Sequence, residues 1–339
     1  MKHAVLASRA GRSPAAWLSA ALLACLPWGA AQAQADAFPN RPVTVIVPAA
    51  FGATTLQIQV LAPCMSRVLG KQVVVENRAG AGGGIGATAV KNARPDGHVL
   101  LFMATPVISV VPHLAPVNYT LDDFIPIGNL SATPMLMAAR ANAPYKTFRD
   151  FLAFAKGNPT AVNFASGGVG TSMHLTGEEL QVVASLDFTH VPFQGGGPAV
   201  QGLLSDSADV VIAPPSLLTP TITAEKLRPL VLFGDARYRA MPNVPTAREL
   251  GVDLVENLRS GLLAPRGTPA PVVDTLVKAF AEAMNDDKCK EQMAKASVDV
   301  QYLGPEDFGR ALKAEVARYD RLFANPRFAS LDPASLYEC

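Results

Sequence analysis

Seven mostly apolar runs, at residues 43–47, 73–75, 99–103, 162–165, 188–191, 210–213 and 227–233, constrain this chain more than any other feature. They lack the strict alternation of a strand with one wet face, so each reads as a strand buried on both sides. The segments between them carry helical spacing. The fold class expected is therefore α/β, with mostly parallel sheets flanked by helices. At 339 residues the chain is roughly twice the usual size of one domain. Its strands fall into two groups, giving an expected lobe one at 36–138 plus 256–339 and a lobe two at 139–255. The apolar stretch at 261–264 would return the chain to the first sheet. Two lobes joined by two crossings leave a cleft, and the loops at 49–55, 78–86, 166–172 and 194–198 should gather there, beyond the carboxyl ends of the strands.

Several helices can be placed by their ends. Ile58, Leu61, Met65 and Val68 share a face after Thr55, a candidate N-cap, with Pro63 expected to kink or shorten the helix. Thr268-Pro269 reads as a cap and first-turn pair ahead of the face formed by Val272, Val273, Leu276, Val277, Phe280 and Met284. A last helix is expected from Pro305, burying Phe308, Leu312, Tyr319 and Leu322.

The first 35 residues read as a signal peptide. Lys2, Arg9 and Arg12 precede an apolar run at 15–26 that is short for a membrane span, and Ala31-Gln32-Ala33 and Ala33-Gln34-Ala35 both fit a small-x-small cleavage site. Lipid anchoring at Cys25 is the minor alternative. Cleavage leaves 26 basic against 28 acidic residues, a balance that favours neither nucleic acid nor a membrane surface as partner. Any two of Cys64, Cys289 and Cys339 could pair on sequence alone, and Cys289 with Cys339, both in the C-terminal part, is the favoured pairing. His3, His98, His113, His174 and His190 are scattered, and no spacing suggests a metal.

Two glycine-rich turns each link a strand to a helix. Gly82-Gly83-Gly84-Ile85-Gly86-Ala87 matches the dinucleotide fingerprint, but the acidic residue expected about 20 positions on is missing, so a nest of N–H groups for a small anion is preferred over a cofactor site. Residues 164–172 offer close backbone approach together with the hydroxyls of Ser166, Thr171 and Ser172, without the lysine of a P-loop. Catalysis finds little footing: no G-x-S-x-G elbow occurs, and His174 reads as a helix residue that packs or bonds locally. The chain is expected to be neither an enzyme nor a cofactor protein.

Seven motifs, in order, resemble the periplasmic solute-binding proteins of tripartite tricarboxylate transporters, the Bug family. They are Phe38-Pro39-Asn40-Arg41-Pro42-Val43 leading to Val47-Pro48, residues 75–83, Pro95-Asp96-Gly97, residues 166–171 with His174, Val191-Pro192-Phe193-Gln194-Gly195, residues 242–246 with Glu249 and Gly251, and residues 264–269. The resemblance implies two α/β lobes hinged around a carboxylate-bearing solute that is delivered to a membrane permease. It nominates Gly52, Ala81 and Gly82 from lobe one, and Ser166, Gly170, Thr171 and Gly195 from lobe two, as ligand contacts.

One departure concerns residues 49–55, where Phe51 stands in place of a family glycine and Thr55 in place of an aspartate. Threonine removes a charge that would repel a carboxylate and adds a donor. Phe51 either lies against an aromatic acid such as terephthalate or a benzoate, or packs between loop and helix. The function expected is an extracytoplasmic, monomeric binding protein that captures a small organic carboxylate for a tripartite tricarboxylate-type permease. A binding protein feeding a sensor kinase is the alternative, and a nucleotide- or cofactor-dependent enzyme a more distant one.

Overall fold

The computed structural model describes residues 38–326 apart from Ser297, so the expected signal peptide, Cys25 and Cys339 lie outside the described residues. The first sheet contains β1 (Val43–Val47), β2 (Val73–Asn77), β3 (Val99–Ala104), β4 (Phe124–Pro134), β10 (Asn257–Pro265) and β11 (Val300–Leu303), in the order β11-β4-β10-β3-β1-β2. The second contains β5 (Leu136–Arg140), β6 (Val162–Ser166), β7 (Phe188–Pro192), β8 (Val210–Ala213) and β9 (Leu227–Leu232), in the order β7-β6-β8-β5-β9. All seven strands read from the sequence are present.

The reason they read so clearly is that both faces of the first sheet are covered. Val43, Val45 and Val47 pack into one cluster with the helices Ala53–Leu69 and Ala270–Asn285, while Ile46 packs on the other face with Phe308 and Leu312 of helix Pro305–Phe323. That last helix starts at Pro305 and buries Phe308, Leu312, Tyr319 and Leu322, as expected. The helix at 53–69 differs from expectation. Gly52 is its N-cap, Thr55 lies inside the first turn, and Pro63 does not shorten it. The Thr268-Pro269 start is displaced by one residue, Pro269 being the cap.

The sheets are more mixed than buried apolar strands imply. Parallel pairing is confined to β1–β3 and to β6–β8, while β4, β5, β9, β10 and β11 run antiparallel to their neighbours. Strands that carry the chain from one sheet to the other and back must oppose each other. β4 runs into β5 through Met135, and the return enters β10 through Glu256; Met135 N–H donates to the Glu256 carbonyl at 3.1 Å and Phe233 N–H to the Met135 carbonyl at 2.8 Å.

Beside this crossing lies a buried ion network. Arg318, on helix Pro305–Phe323, donates to Glu256 on the crossing strand and to Glu179 on helix Ser172–Ala184 of the second sheet. Tyr319 donates its hydroxyl to Glu256 at 3.0 Å, and Ser109 donates to Glu315 at 2.6 Å. Burial pushes Glu179 up to about 7 against the pull of Arg318, and burial together with Glu256 pushes Glu315 up to about 7. Leu175, Tyr319 and Leu322 form an apolar cluster with Val110 and Leu114 on the same junction.

The disulfide differs from expectation: Cys64 pairs with Cys289. Helix Asp287–Lys295 packs on helix Ala53–Leu69 with Met65 and Met293 in one core, so distance in the fold overrides distance along the chain. Peptide mapping without reductant should recover a Cys64–Cys289 crosslink, and the Cys64→Ala/Cys289→Ala variant should lose about 2–4 kcal/mol of unfolding free energy in urea. A Cys289–Cys339 peptide would contradict this pairing. Arg318→Leu should cost about 3–5 kcal/mol, because it strands buried carboxylates without a counter-charge.

Candidate functional site

Four helix starts lie beyond the carboxyl ends of parallel strands. After β1 the chain passes Phe51 into helix Ala53–Leu69; after β2 it passes the glycine turn into helix Gly84–Lys91; after β6 and β7 it enters helices Ser172–Ala184 and Gly196–Leu204. None of the four has an acidic residue in its first turn, although acids there stabilise a helix. The helices Phe148–Gly157, Asp287–Lys295 and Pro305–Phe323 carry acids there, whereas Pro215–Thr223 and Ala270–Asn285 carry none either.

In the first sheet the two loops are braced together. Asn77, at the end of β2, donates its side-chain amide to the Ala49 carbonyl at 2.8 Å and to the Thr55 hydroxyl at 2.7 Å. Thr55 is fully buried, so its oxygen serves the loop. An aspartate at this position could order the loop in the same way, and threonine does so without charge. Gly86 is where the backbones meet, since a Cβ there would stand 2.7 Å from Pro48 Cα and 2.8 Å from the Arg78 carbonyl oxygen. Arg78 is turned to Glu76 at 2.6 Å.

The glycine turn itself is left-handed at Ala81, Gly82 and Gly83, with φ of 48°, 63° and 102°. Its backbone bonds run from Gly83 and Ile85 to the Gly80 carbonyl. The N–H groups of Ala81 and Gly82 take no part in them. In helix Ala53–Leu69 the first internal bond is Leu56 N–H to the Gly52 carbonyl, which leaves the amides of Ala53, Thr54 and Thr55 without a helical acceptor. Phe51 is 65% exposed, so it does not pack between loop and helix.

In the second sheet the nominated groups turn inward. Ser166 is buried, and its oxygen meets Gly168 N–H at 3.1 Å and His190 Nε2 at 2.7 Å. Gly170 N–H donates to His174 Nδ1 at 3.0 Å. Thr171 caps its helix: its hydroxyl donates to the Gly168 carbonyl at 2.8 Å and accepts from His174 N–H at 3.3 Å. Gly195 N–H donates to the carbonyls of Gly167 and Phe193. The two loops touch, because a Cβ on Gly167 would stand 3.1 Å from Gly196 N. Phe193 lies against Gly202. The amides left over are those of the first helical turns, Ser172 and Met173 on one helix and Gly196 and Gly197 on the other. Among the described residues no hydrogen bond or ion pair joins Phe51, Gly52, Thr55, Ala81 or Gly82 to Ser166, Gly170, Thr171 or Gly195.

Ser166 and His190 have the spacing of a nucleophile and its base. Yet Ser166 is wholly enclosed, and burial together with the neighbouring His174 pushes His190 down to about 4, too weakly basic for such work near neutral pH. The sequence profile of the tripartite tricarboxylate transporter family receptors matches residues 57–326. The chain belongs to that family. Like other receptors of the family it is a solute-binding protein rather than an enzyme. It is 35% identical over 306 residues to a Cupriavidus necator protein encoded in the gbd 5' region, covering 88% of this chain and 92% of the relative. It is similar to a TctC solute-binding protein from Polaromonas solved without ligand, at TM-score 0.79 and 28% identity over 85% of this chain and 99% of that one. It also resembles MatC from Rhodopseudomonas palustris with bound malate, at TM-score 0.64 and 30% identity over 84% and 99%. An R. palustris protein with adipate matches at TM-score 0.66 and 25% identity over 85% and 97%.

Sequence reading of this family receptor missed Asn77 and His190, which act through tertiary contact. Asn77 sits in a quoted motif; no signal marks His190. Its depressed pKa means the folded state binds fewer protons than the unfolded one between about 4 and 6.5. The stability it contributes is complete above 6.5 and is lost as pH falls towards 4. Urea unfolding from pH 7.5 to pH 4 should therefore show wild type losing more stability than His190→Phe, and equal losses would assign the acid sensitivity elsewhere.

Proposed function

We propose that this receptor is exported by its first 35 residues and works in the periplasm as a monomer. It captures a small organic carboxylate between its two sheets and presents it to a permease of the tripartite tricarboxylate type. The observation that carries this reading is the set of four helix starts without acidic residues. Backbone N–H groups with helix dipoles behind them suit a carboxylate, and an acid in the first turn would repel it.

The proposed contacts in the first sheet are Gly52, Ala81 and Gly82 with the first-turn amides that follow Gly52. In the second sheet, Ser166, Gly170, Thr171 and Gly195 shape the loops. The free donors lie one or two residues onward, at Ser172, Met173, Gly196 and Gly197. Relatives that hold malate and adipate support a carboxylate as the class of ligand. The exposed ring of Phe51 favours an acid with an aromatic body, such as terephthalate or a benzoate, with an offset-stacked contact worth about 0.5–1.5 kcal/mol.

A thermal-shift screen of malate, adipate, citrate, benzoate and terephthalate tests the class, since a ligand at 100 times its Kd adds about 2.7 kcal/mol. Among the acids that bind, Phe51→Gly should weaken the aromatic ones about 2- to 12-fold and spare the aliphatic ones. Ser172→Asp separates binding from folding: Tm should hold or rise by the equivalent of about 0.3–1 kcal/mol, while calorimetric affinity falls about tenfold or more. Undiminished affinity in Ser172→Asp would remove the second-sheet helix start from the site.

A further inference from the structure

Resting on the binding function above, we propose that His174 is a positioning residue for the second-sheet half of the site: its unprotonated Nδ1 holds the Gly170 amide and thereby aims the first-turn amides of helix Ser172–Ala184. The loop that ends at Thr171 passes through left-handed backbone at Gly168 and Gly170, with φ of 123° and 74°, and at its far end the Thr171 N–H and hydroxyl both meet the Gly168 carbonyl. Its first half is held by Ser166 through Gly168. The peptide between Val169 and Gly170 is held by His174, at 3.0 Å.

His174 is the third residue of its helix, the place where a capping box carries Glu or Gln whose side chain reaches back to the N-cap backbone. Here an imidazole reaches back one residue further, to Gly170, while the His174 N–H is taken by Thr171. A ring nitrogen that accepts from an amide carries no proton, so the ring proton sits on Nε2, on the side of Glu178 Oε1 at 3.6 Å. The ring cannot swing aside. It is 3% exposed, stacked on His190 at 4.0 Å between centroids and parallel to Phe164 at 6.3 Å. A neutral acceptor at this point orders the loop without placing a carboxylate where an anionic solute must bind, as the Glu of an ordinary capping box would.

Two variants separate the acceptor from the ring. His174→Phe keeps a flat ring in the stack and loses Nδ1; His174→Asn loses the ring and keeps an acceptor near the Nδ1 position. Amide exchange by NMR on the ligand-free protein should show Gly170 protected in wild type and His174→Asn and unprotected in His174→Phe. Calorimetry with malate and with adipate should show His174→Phe about tenfold weaker for whichever acid binds, with His174→Asn within about threefold of wild type. Retained Gly170 protection in His174→Phe, or equal damage in both variants, overturns the proposal. Should His174→Phe fail to fold, the tautomer of His174 in wild type decides it by nitrogen shifts: a proton on Nδ1 overturns it. Should wild type bind neither acid, the binding reading is at fault, and the exchange result still judges the role of His174.

Discussion

Arg318 is the point on which both halves of the fold depend. It stands on the last helix of the first sheet's half and meets Glu256 on the strand returning from the second sheet, together with Glu179 on a helix of that sheet. Two carboxylates, those of Glu179 and Glu256, pair with one guanidinium, and Glu315 lies on the same helix as Arg318 and bonds Ser109. Taking charges out of water costs several kcal/mol per ion, so such a network is weak evidence for stability and better evidence for a fixed arrangement. What it fixes is helix Ser172–Ala184. Glu179 lies two turns along that helix from its first-turn amides, and Leu175 on the same helix packs against Tyr319 and Leu322. The helix start that bears on the candidate site is therefore anchored to the crossing between the sheets.

The candidate site makes a recurring trade between donors that shape it and donors left free. A glycine loop near an anion needs backbone freedom to expose its N–H groups, yet freedom alone would let it wander. Here the trade is resolved by side chains that spend their polar atoms internally: Asn77 on Ala49 and Thr55, Ser166 on Gly168, Thr171 on its own helix, His174 on Gly170. All of these braces are uncharged in the form the geometry requires. A charged brace would put a full charge beside a site whose own field comes from partial charges worth about half an electron per helix. Arg78, the nearby cation, is paired with Glu76 and adds no net charge.

The strands were legible because burial on both faces writes a continuous apolar word, as in Val43–Val47. β4 was not, for it reads FIPIGNLSATP, with two prolines and a buried Asn129 and Ser131 breaking any period. It is a strand because β10 and β11 flank it, and the Asn129 side-chain amide donates to the Gln301 carbonyl at 2.6 Å. The start of helix Ala53–Leu69 was misplaced because a glycine cap leaves no side-chain signal, whereas Thr55, which resembles a cap, is used by Asn77. Glycine spacing placed the two glycine-rich loops as strand-to-helix turns, which is what they are. Which of their amides are free was not legible, because that depends on partners such as His190, brought beside Phe164 by the pairing of β6 and β7.

The apolar side chains left exposed near the first-sheet amides complete the physical picture. Phe51 precedes the Gly52 cap, Leu56 follows in the first turn, and Ile85 opens the next helix; all three are exposed. Fully burying a side chain of this kind gives about 1.5–3 kcal/mol, so under the proposed function a closure that covered even part of them would gain free energy from the body of the solute as well as from its carboxylate. Water leaving with them lowers the local dielectric, which strengthens the amide–carboxylate bonds that remain. The two effects reinforce each other only when the solute presents both a charged end and an apolar body. A fully hydroxylated acid would leave its hydroxyls against Phe51, Leu56 and Ile85 without partners, a cost of about 1–3 kcal/mol for each buried group. Discrimination would then rest on the rim, while the helix starts supply the grip common to any carboxylate.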